Sequence, residues 1–256
     1  MLSWWPAGAG RHTRPRGDRR RAPRPGRGAL LSGQTWDMLV RQGAERRYAA
    51  GAVMLRQGAP GTHLLALTNG LAKIVQYRPD GTGLWLAFRG PRELLGEVSV
   101  LSRRNEPRGA DVVAVTECVT RVLDAARFRR FVDEHRLGAD LLQQAMDRTR
   151  ESDEHRAELV TLTIGARLAR TLLRLSALAG SPHLTGLTQE ELAQAIGGSR
   201  NGVADELQRL RAAGAVATAR KVISILDPDA LCALAGYAED GACPAVPPCP
   251  GQAEAM

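Results

Sequence analysis

Residues 187–226 read LTQEELAQAIGGSRNGVADELQRLRAAGAVATARKVISIL, and this stretch decides how the chain is to be understood. Thr188 followed three residues later by Glu191 is a capping box, the reciprocal side-chain signal that opens a helix. Leu192 and Ile196 then fall one turn apart on a single face. Gly197 and Gly198 permit a tight turn, Ser199 is suited to cap a second helix, and Val203, Leu207 and Leu210 give that helix its buried stripe. Gly214 ends it. Ala215–Ala217 and Val222–Leu226 are expected as two short strands joined through Thr218, Ala219, Arg220 and Lys221. The pattern predicts a winged helix-turn-helix.

On that arrangement Arg200, Asn201, Asp205 and Gln208 occupy the wet face of the second helix. Arg200 has the fork to grip a guanine through O6 and N7, and Asn201 the amide to pair with adenine. Asp205 either accepts from a cytosine amine or repels wrong sites. Thr188, Gln189 and Ser199 complete the expected DNA-contacting set at the two helix starts. Charge adds little: Arg200, Arg209, Arg211, Arg220 and Lys221 oppose Glu190, Glu191, Asp205 and Glu206. A dimer is then needed to double a modest grip on phosphate.

The 256 residues, 44% hydrophobic, suit two small domains. No apolar run approaches the roughly 20 residues of a membrane helix. The start, MLSWWPAGAG, lacks the basic-then-apolar order of a signal peptide, so a cytoplasmic protein is expected. Of the net charge of +8, residues 1–28 carry eight arginines against Asp18, which leaves about +1 for the rest. This Arg/Pro-rich segment is expected to be a disordered tail. A start codon placed too far upstream is the alternative reading, consistent with an arginine-dominated basic composition. Cys118, Cys232, Cys243 and Cys249 form no C-x-x-C pair, so no metal is expected. With no cysteine near the N-terminus, an iron–sulfur cluster there is excluded. Cys243 and Cys249 fall in a Pro/Ala-rich end expected to be a loose tail.

An enzyme is disfavoured. The five histidines are scattered without H-E-x-x-H. GGSRN fails the G-x-S-x-G nucleophile pattern because Asn201 stands where glycine is required, and no phosphate-binding G-x-x-x-x-G-K-[ST] occurs.

From Tyr48 to about Leu123 the chain runs through short β-like segments, AVML, HLLALT, LAKIVQY, GLWLAF, DVVAV and VTRVL, broken by glycines. A β-roll or barrel follows. Within it, Gly96-Glu97 opens a short turn, and Arg108-Gly109-Ala110 comes about ten residues later. Backbone N–H groups and the fork of Arg108 suit an anion, and Glu97 suits a ribose hydroxyl.

Taken together, the GE and R-x-A elements in a β-roll, a long helix and LTQEELAQAIGGSRNGV closely resemble the Crp/Fnr family of bacterial transcription regulators, over roughly Tyr48 to Leu226. The resemblance implies an α+β fold: an N-terminal cyclic-nucleotide-binding-type β-roll, a long dimerisation helix and a C-terminal winged helix-turn-helix. It implies an effector site at Gly96, Glu97, Arg108 and Gly109, with Ser152 facing the nucleotide base. The partners implied are double-stranded DNA, a second copy of the chain and RNA polymerase. The family's cyclic-AMP receptors carry Ser or Thr after the arginine, where Gly109 stands here. The backbone N–H survives and a hydroxyl is lost, so cyclic AMP, another effector or none stays open. A regulator that binds DNA without ligand, or a ligand-responsive dimer acting through protein contacts, is the alternative.

The expected organisation is a tail over 1–28, the β-roll over 29–136, the connecting helix over 137–179, the winged domain over 180–236 and a tail over 237–256. The helix is expected to break near Thr163–Gly165. Leu141, Leu142, Ala145 and Met146 begin its apolar seam and Leu159, Val160 and Leu162 end it. Thr149–Arg156 is polar throughout, and Asp153, Glu154 and His155 are expected on a solvated face. Leu168, Leu172, Leu173 and Leu175 are expected to dock the helix into the winged domain.

Overall fold

The computed structural model describes residues 31–237 and 243–247. The basic N-terminal tail and Cys249 lie outside them. A short helix α1 (Gly33–Arg41), capped by Ser32, precedes eight strands: β1 (Ala44–Tyr48), β2 (Val53–Leu55), β3 (His63–Asn69), β4 (Ala72–Tyr77), β5 (Gly83–Arg89), β6 (Glu93–Leu95), β7 (Asp111–Ala114) and β8 (Cys118–Asp124). Between β6 and β7 lies the short helix α2 (Glu97–Leu101). The strands pair antiparallel in two four-stranded sheets, ordered β1-β8-β3-β6 and β2-β7-β4-β5.

The apolar run of β3 is continuous because both of its faces are covered. Leu65 and Leu67 point between the sheets toward Leu55, Leu95 and Val112. Leu64 and Ala66 point outward, where α1 and α3 (Ala125–Glu134) cover them with Trp36, Leu39, Phe128 and Phe131. Side chains that alternate between two cores leave no polar phase in the sequence.

Helix α4 (Gly138–Thr161) follows, 24 residues or about 36 Å long. The break falls at Leu162 and Thr163, both extended, and the Thr163 side chain caps α5 (Ile164–Ala179). Leu142, Met146, Leu159 and Val160 stand exposed along α4. The polar centre of α4, by contrast, is only partly solvated. His155, expected in solvent, is half-buried with its ring 5.0 Å from Trp85, because α4 lies against the β-roll there. Burial, with Arg174 nearby, holds its imidazole below the usual range.

The C-terminal part comprises β9 (His183–Thr185), α6 (Gln189–Ile196), α7 (Arg200–Ala212), β10 (Val216–Ala219), β11 (Val222–Ile225) and α8 (Pro228–Leu234). Leu168, Leu172, Leu173 and Leu175 of α5 are fully buried with Leu192, Ile196, Val203 and Ile223. Leu71, Phe88 and Val115 of the β-roll join the same cluster, so the two parts share one apolar core. Gly186 makes this approach possible, since a Cβ there would collide with the Val115 carbonyl oxygen. Lys73 of β4 adds an ion pair to Glu191 of α6 at 2.6 Å.

Two further expectations need correction. Thr218 and Ala219 belong to β10 rather than to the loop, because Ala219 pairs with Val222 and leaves only Arg220 and Lys221 to turn. Residues 243–247 are not loose: Cys243 is disulfide-bonded to Cys232 on α8, and Cys243 and Val246 pack on the shared core. That pairing lies 11 residues apart, a spacing without a sequence signature. Cys118 is a buried free thiol, pushed up to about 11 by burial.

Candidate functional site

Two regions gather the residues singled out above. The first is the helix pair α6–α7. Thr188 accepts from the Glu191 N–H at 3.1 Å, and Glu191 Oε2 accepts from the Thr188 N–H at 2.8 Å, closing the capping box. Gly197 takes the left-handed conformation (φ 59°) that lets Gly198 N–H reach the Ala193 carbonyl. Ser199 accepts from Gly202 N–H at 3.0 Å and starts α7. These caps fix the angle between the helices, and the burial of Val203, Leu207 and Leu210 fixes the rotation of α7. Arg200, Asn201, Asp205 and Gln208 are consequently exposed on one side, with Gln189 and Ser199 exposed beside them and Thr188 half-buried.

A cleft of about 580 Å³ separates α7 from the wing, lined by Thr188, Gln189, Arg200, Thr218 and Lys221 among others. Lys221 at the wing tip has φ 55°, a conformation that favours glycine. That conformation costs on the order of 1 kcal/mol and places a cation at the tip of a two-residue turn. Arg220 and Lys221 are both exposed. They join the candidate DNA contacts, and the strained φ is not legible in sequence.

The second region lies in the β-roll. Gly96 (φ 84°) turns the chain from β6 into α2, and a Cβ there would collide with Arg108 Nη1. Arg108 is therefore seated over Gly96 by the absence of a side chain. Its Nη2 donates to the His63 carbonyl at 2.5 Å and its Nη1 to the Gly96 carbonyl at 3.4 Å. Arg108 and Glu97 are each only 5% exposed. Burial works against the Arg108 charge and Glu97 supports it. Gly109 follows, exposed, with nothing within 4 Å of where a Cβ would stand.

Arg148 on α4, not anticipated from the sequence, completes the region. It pairs with Glu97 through Nη1 and donates to the Leu94 carbonyl through Nη2 at 2.9 Å. Glu97 and Arg148 are 51 residues apart, so no local pattern reveals the contact. Nearby, Arg89 reaches both Glu93 of the β-roll at 3.5 Å and Glu151 of α4 at 3.2 Å. Burial pushes the Glu93 carboxyl up to about 7 against the opposing charges of Arg89 and Arg148. Ser152 lies on α4 one turn beyond Arg148 and is exposed.

The chemistry of this region is that of an anion cradle. It offers a guanidinium held by carbonyls that an anion can replace, an open backbone beside it, and a carboxylate already bridged to the connecting helix.

Comparison with known proteins matches the β-roll and the helix-turn-helix parts of the chain to known domains. Residues 45–135 match the family model of the cyclic nucleotide-binding domain, and residues 166–234 that of the Crp-like helix-turn-helix domain. The chain is 28% identical to the CRP-like cAMP-activated global transcriptional regulator of Mycobacterium tuberculosis over 191 residues, 72% of this chain and 84% of that one. It is 30% identical over 205 residues to the transcriptional regulator LdrP of Thermus thermophilus, covering 77% of this chain and all of that one. Among solved structures, a CRP-family transcriptional regulator, also from Thermus thermophilus, superposes with a TM-score of 0.61 at 28% identity, covering 75% of this chain and 96% of that one.

Proposed function

We propose, from the premise that this chain belongs to the Crp/Fnr family of transcription regulators, that it is a dimeric, cytoplasmic regulator whose affinity for DNA is set by a cyclic nucleotide in the β-roll. That it is a DNA-binding transcription regulator and not an enzyme follows from the family. The dimer, the effector's identity, the contacting residues and a contact with RNA polymerase are our reading.

One observation carries the effector half: the Glu97–Arg148 ion pair ties the anion cradle to the helix that runs toward the DNA-reading head. On this reading the cyclic phosphate draws Arg108 from the His63 and Gly96 carbonyls and takes the Gly109 N–H. The ribose competes with Arg148 for Glu97, and Ser152 meets the base. Any change in the Arg148 pairing displaces α4, so a ligand preferring one arrangement shifts the population toward it. The exposed Leu142, Met146 and Val160 support α4 as the dimer seam, because a second copy would cover them. The dimer in turn sets two α7 helices at successive major grooves, roughly 34 Å apart, with Arg200, Asn201, Asp205 and Gln208 toward the bases. Thr188, Gln189 and Ser199 sit nearest the phosphates. The domain organisation we favour is a β-roll over 29–136, a connecting segment over 137–179 and a winged domain over 180–236.

A second reading, DNA binding without ligand, is favoured by Gly109, which supplies no hydroxyl, and by Glu97 already holding a cation. Gel-shift titration of genomic fragments with and without cyclic AMP and cyclic GMP separates the two. An affinity that changes at least tenfold supports the switch; tight binding indifferent to both nucleotides removes it.

A further inference from the structure

Helices α4 and α5 meet at only two extended residues, Leu162 and Thr163. Each of the two is bonded within one helix or its cap, Leu162 to α4 and Thr163 to α5, so side chains elsewhere must hold the placement of the winged domain. One carboxylate is built into the junction to do this. Glu158, three residues before the end of α4, is 6% exposed. Its Oε1 accepts from Arg174 Nη1 at 2.7 Å and from Arg170 Nη1 at 3.2 Å, and its Oε2 accepts from Arg174 Nη2 at 2.9 Å. The fork of Arg174 thus closes on both oxygens, the bidentate geometry that fixes direction as well as distance.

The connection does not stop at α5. Arg170 also donates through Nε to the Ala235 carbonyl at 2.7 Å and lies over the Tyr237 ring at 4.6 Å. Ala235 caps the C-terminal end of α8 and Tyr237 follows it, and Cys232 of α8 carries the disulfide to Cys243. His155, one turn earlier on α4, stands with Nδ1 3.9 Å from Glu158 Oε2 and packs on Trp85 of the β-roll. A single buried acid therefore joins the two helices on either side of the break and, through Arg170, the end of the winged domain.

We infer that Glu158 is a positioning residue, the latch that holds the DNA-reading head at one angle to α4. This rests on the reading of the chain as a two-part regulator and adds the element that biases its two placements. Burial alone would raise the Glu158 carboxyl, but the hydrogen bonds and charges of Arg174 and Arg170 outweigh it and lower it, so the acid stays ionised. Removing that charge leaves two half-buried arginines side by side without their shared carboxylate, and rotation at Leu162–Thr163 lets them move apart and further into water.

The test uses the full chain without nucleotide and compares Glu158→Gln, Arg174→Met and the double variant by amide hydrogen exchange and by affinity for a bound genomic fragment. We expect exchange over residues 159–167 to rise about tenfold in each single variant and no further in the double, as for groups sharing one network. Strands β3 and β8 should exchange as in wild type. DNA affinity should change by the same factor in all three variants. Unchanged exchange at the junction, additive single effects, or an equal rise across every element would overturn the latch, the last because it marks a merely structural role. Because no nucleotide is present, a wild type unresponsive to cyclic nucleotides would remove the effector reading and leave this result standing.

Discussion

Replacing Gly109 by serine adds a hydroxyl beside Arg108, the group whose absence set cyclic AMP in question on the proposed reading. The backbone can take it, since no atom lies within 4 Å of the new Cβ and the residue is not among those with positive φ. The fold should therefore melt within about 1 °C of wild type, as surface substitutions away from special geometry do. The new hydroxyl stands next to Arg108, so a phosphate held by that guanidinium gains a second donor. A hydrogen bond to a charged group contributes about 1.5–3 kcal/mol, and ordering the serine rotamer costs about 0.5 kcal/mol. A net gain of about 1–2.5 kcal/mol means cyclic AMP bound roughly five- to seventyfold more tightly. Isothermal titration of wild type, Gly109→Ser and Gly109→Ala with cyclic AMP makes the measurement, the alanine supplying the Cβ without the hydroxyl. If alanine tightens binding as much as serine, or serine tightens nothing in a protein that melts normally, the phosphate does not sit between Arg108 and Gly109.

The other expectations concern packing, charge and reading. Gly96→Ala should destabilise by about 2–4 kcal/mol in denaturant titration, because φ 84° is strained for alanine and its Cβ would also stand 2.7 Å from Leu55 Cδ1; wild-type stability would contradict the seat described for Arg108. Lys221→Gly should raise the melting temperature by roughly 2 °C while making the salt dependence of DNA binding shallower by about 1 per protomer; an unaltered salt slope would take Lys221 off the phosphate. Glu93 binds its proton in the folded state up to about pH 7 but in the unfolded state only to about 4.3. Stability should accordingly fall as pH rises between those values and level off above, by on the order of 3 kcal/mol in all. Glu93→Gln should flatten that decline in melting curves from pH 5 to 7, and an unchanged slope would place the proton elsewhere. Arg200→Ala should cost about 1–3 kcal/mol in specific binding and leave affinity for random DNA intact in competition gel shifts; equal loss on both would make Arg200 a phosphate contact.

The reading head was legible because its signals are local. Thr188 with Glu191, Ser199, Gly197 and Gly214 each announce a helix end within three or four residues, and the burial of Val203, Leu207 and Leu210 follows from spacing alone. The GE and R-x-A pair was legible only in combination. Strand β1 was not visible, since Ala44, Glu45, Arg46 and Arg47 are all exposed and show no apolar alternation. Strands β6 and β9 escaped because three residues carry no period. What the sequence withheld most completely are contacts between distant charges: Arg148 to Glu97, Glu158 to Arg174, and Lys73 to Glu191 across 118 positions. A charged residue on a helix looks the same whether water or a buried partner meets it, and nothing in local composition distinguishes the two.

The two oxygens of Glu191 carry separate duties. Oε2 receives the Thr188 N–H and hydroxyl within its own helix, whereas Oε1 receives Lys73 from the β-roll. Parting the two halves of the molecule breaks the second bond and leaves the first untouched. The cap that starts α6 is therefore independent of the contact with the β-roll, and on the proposed switch a shift of the head against the β-roll would leave that helix start intact.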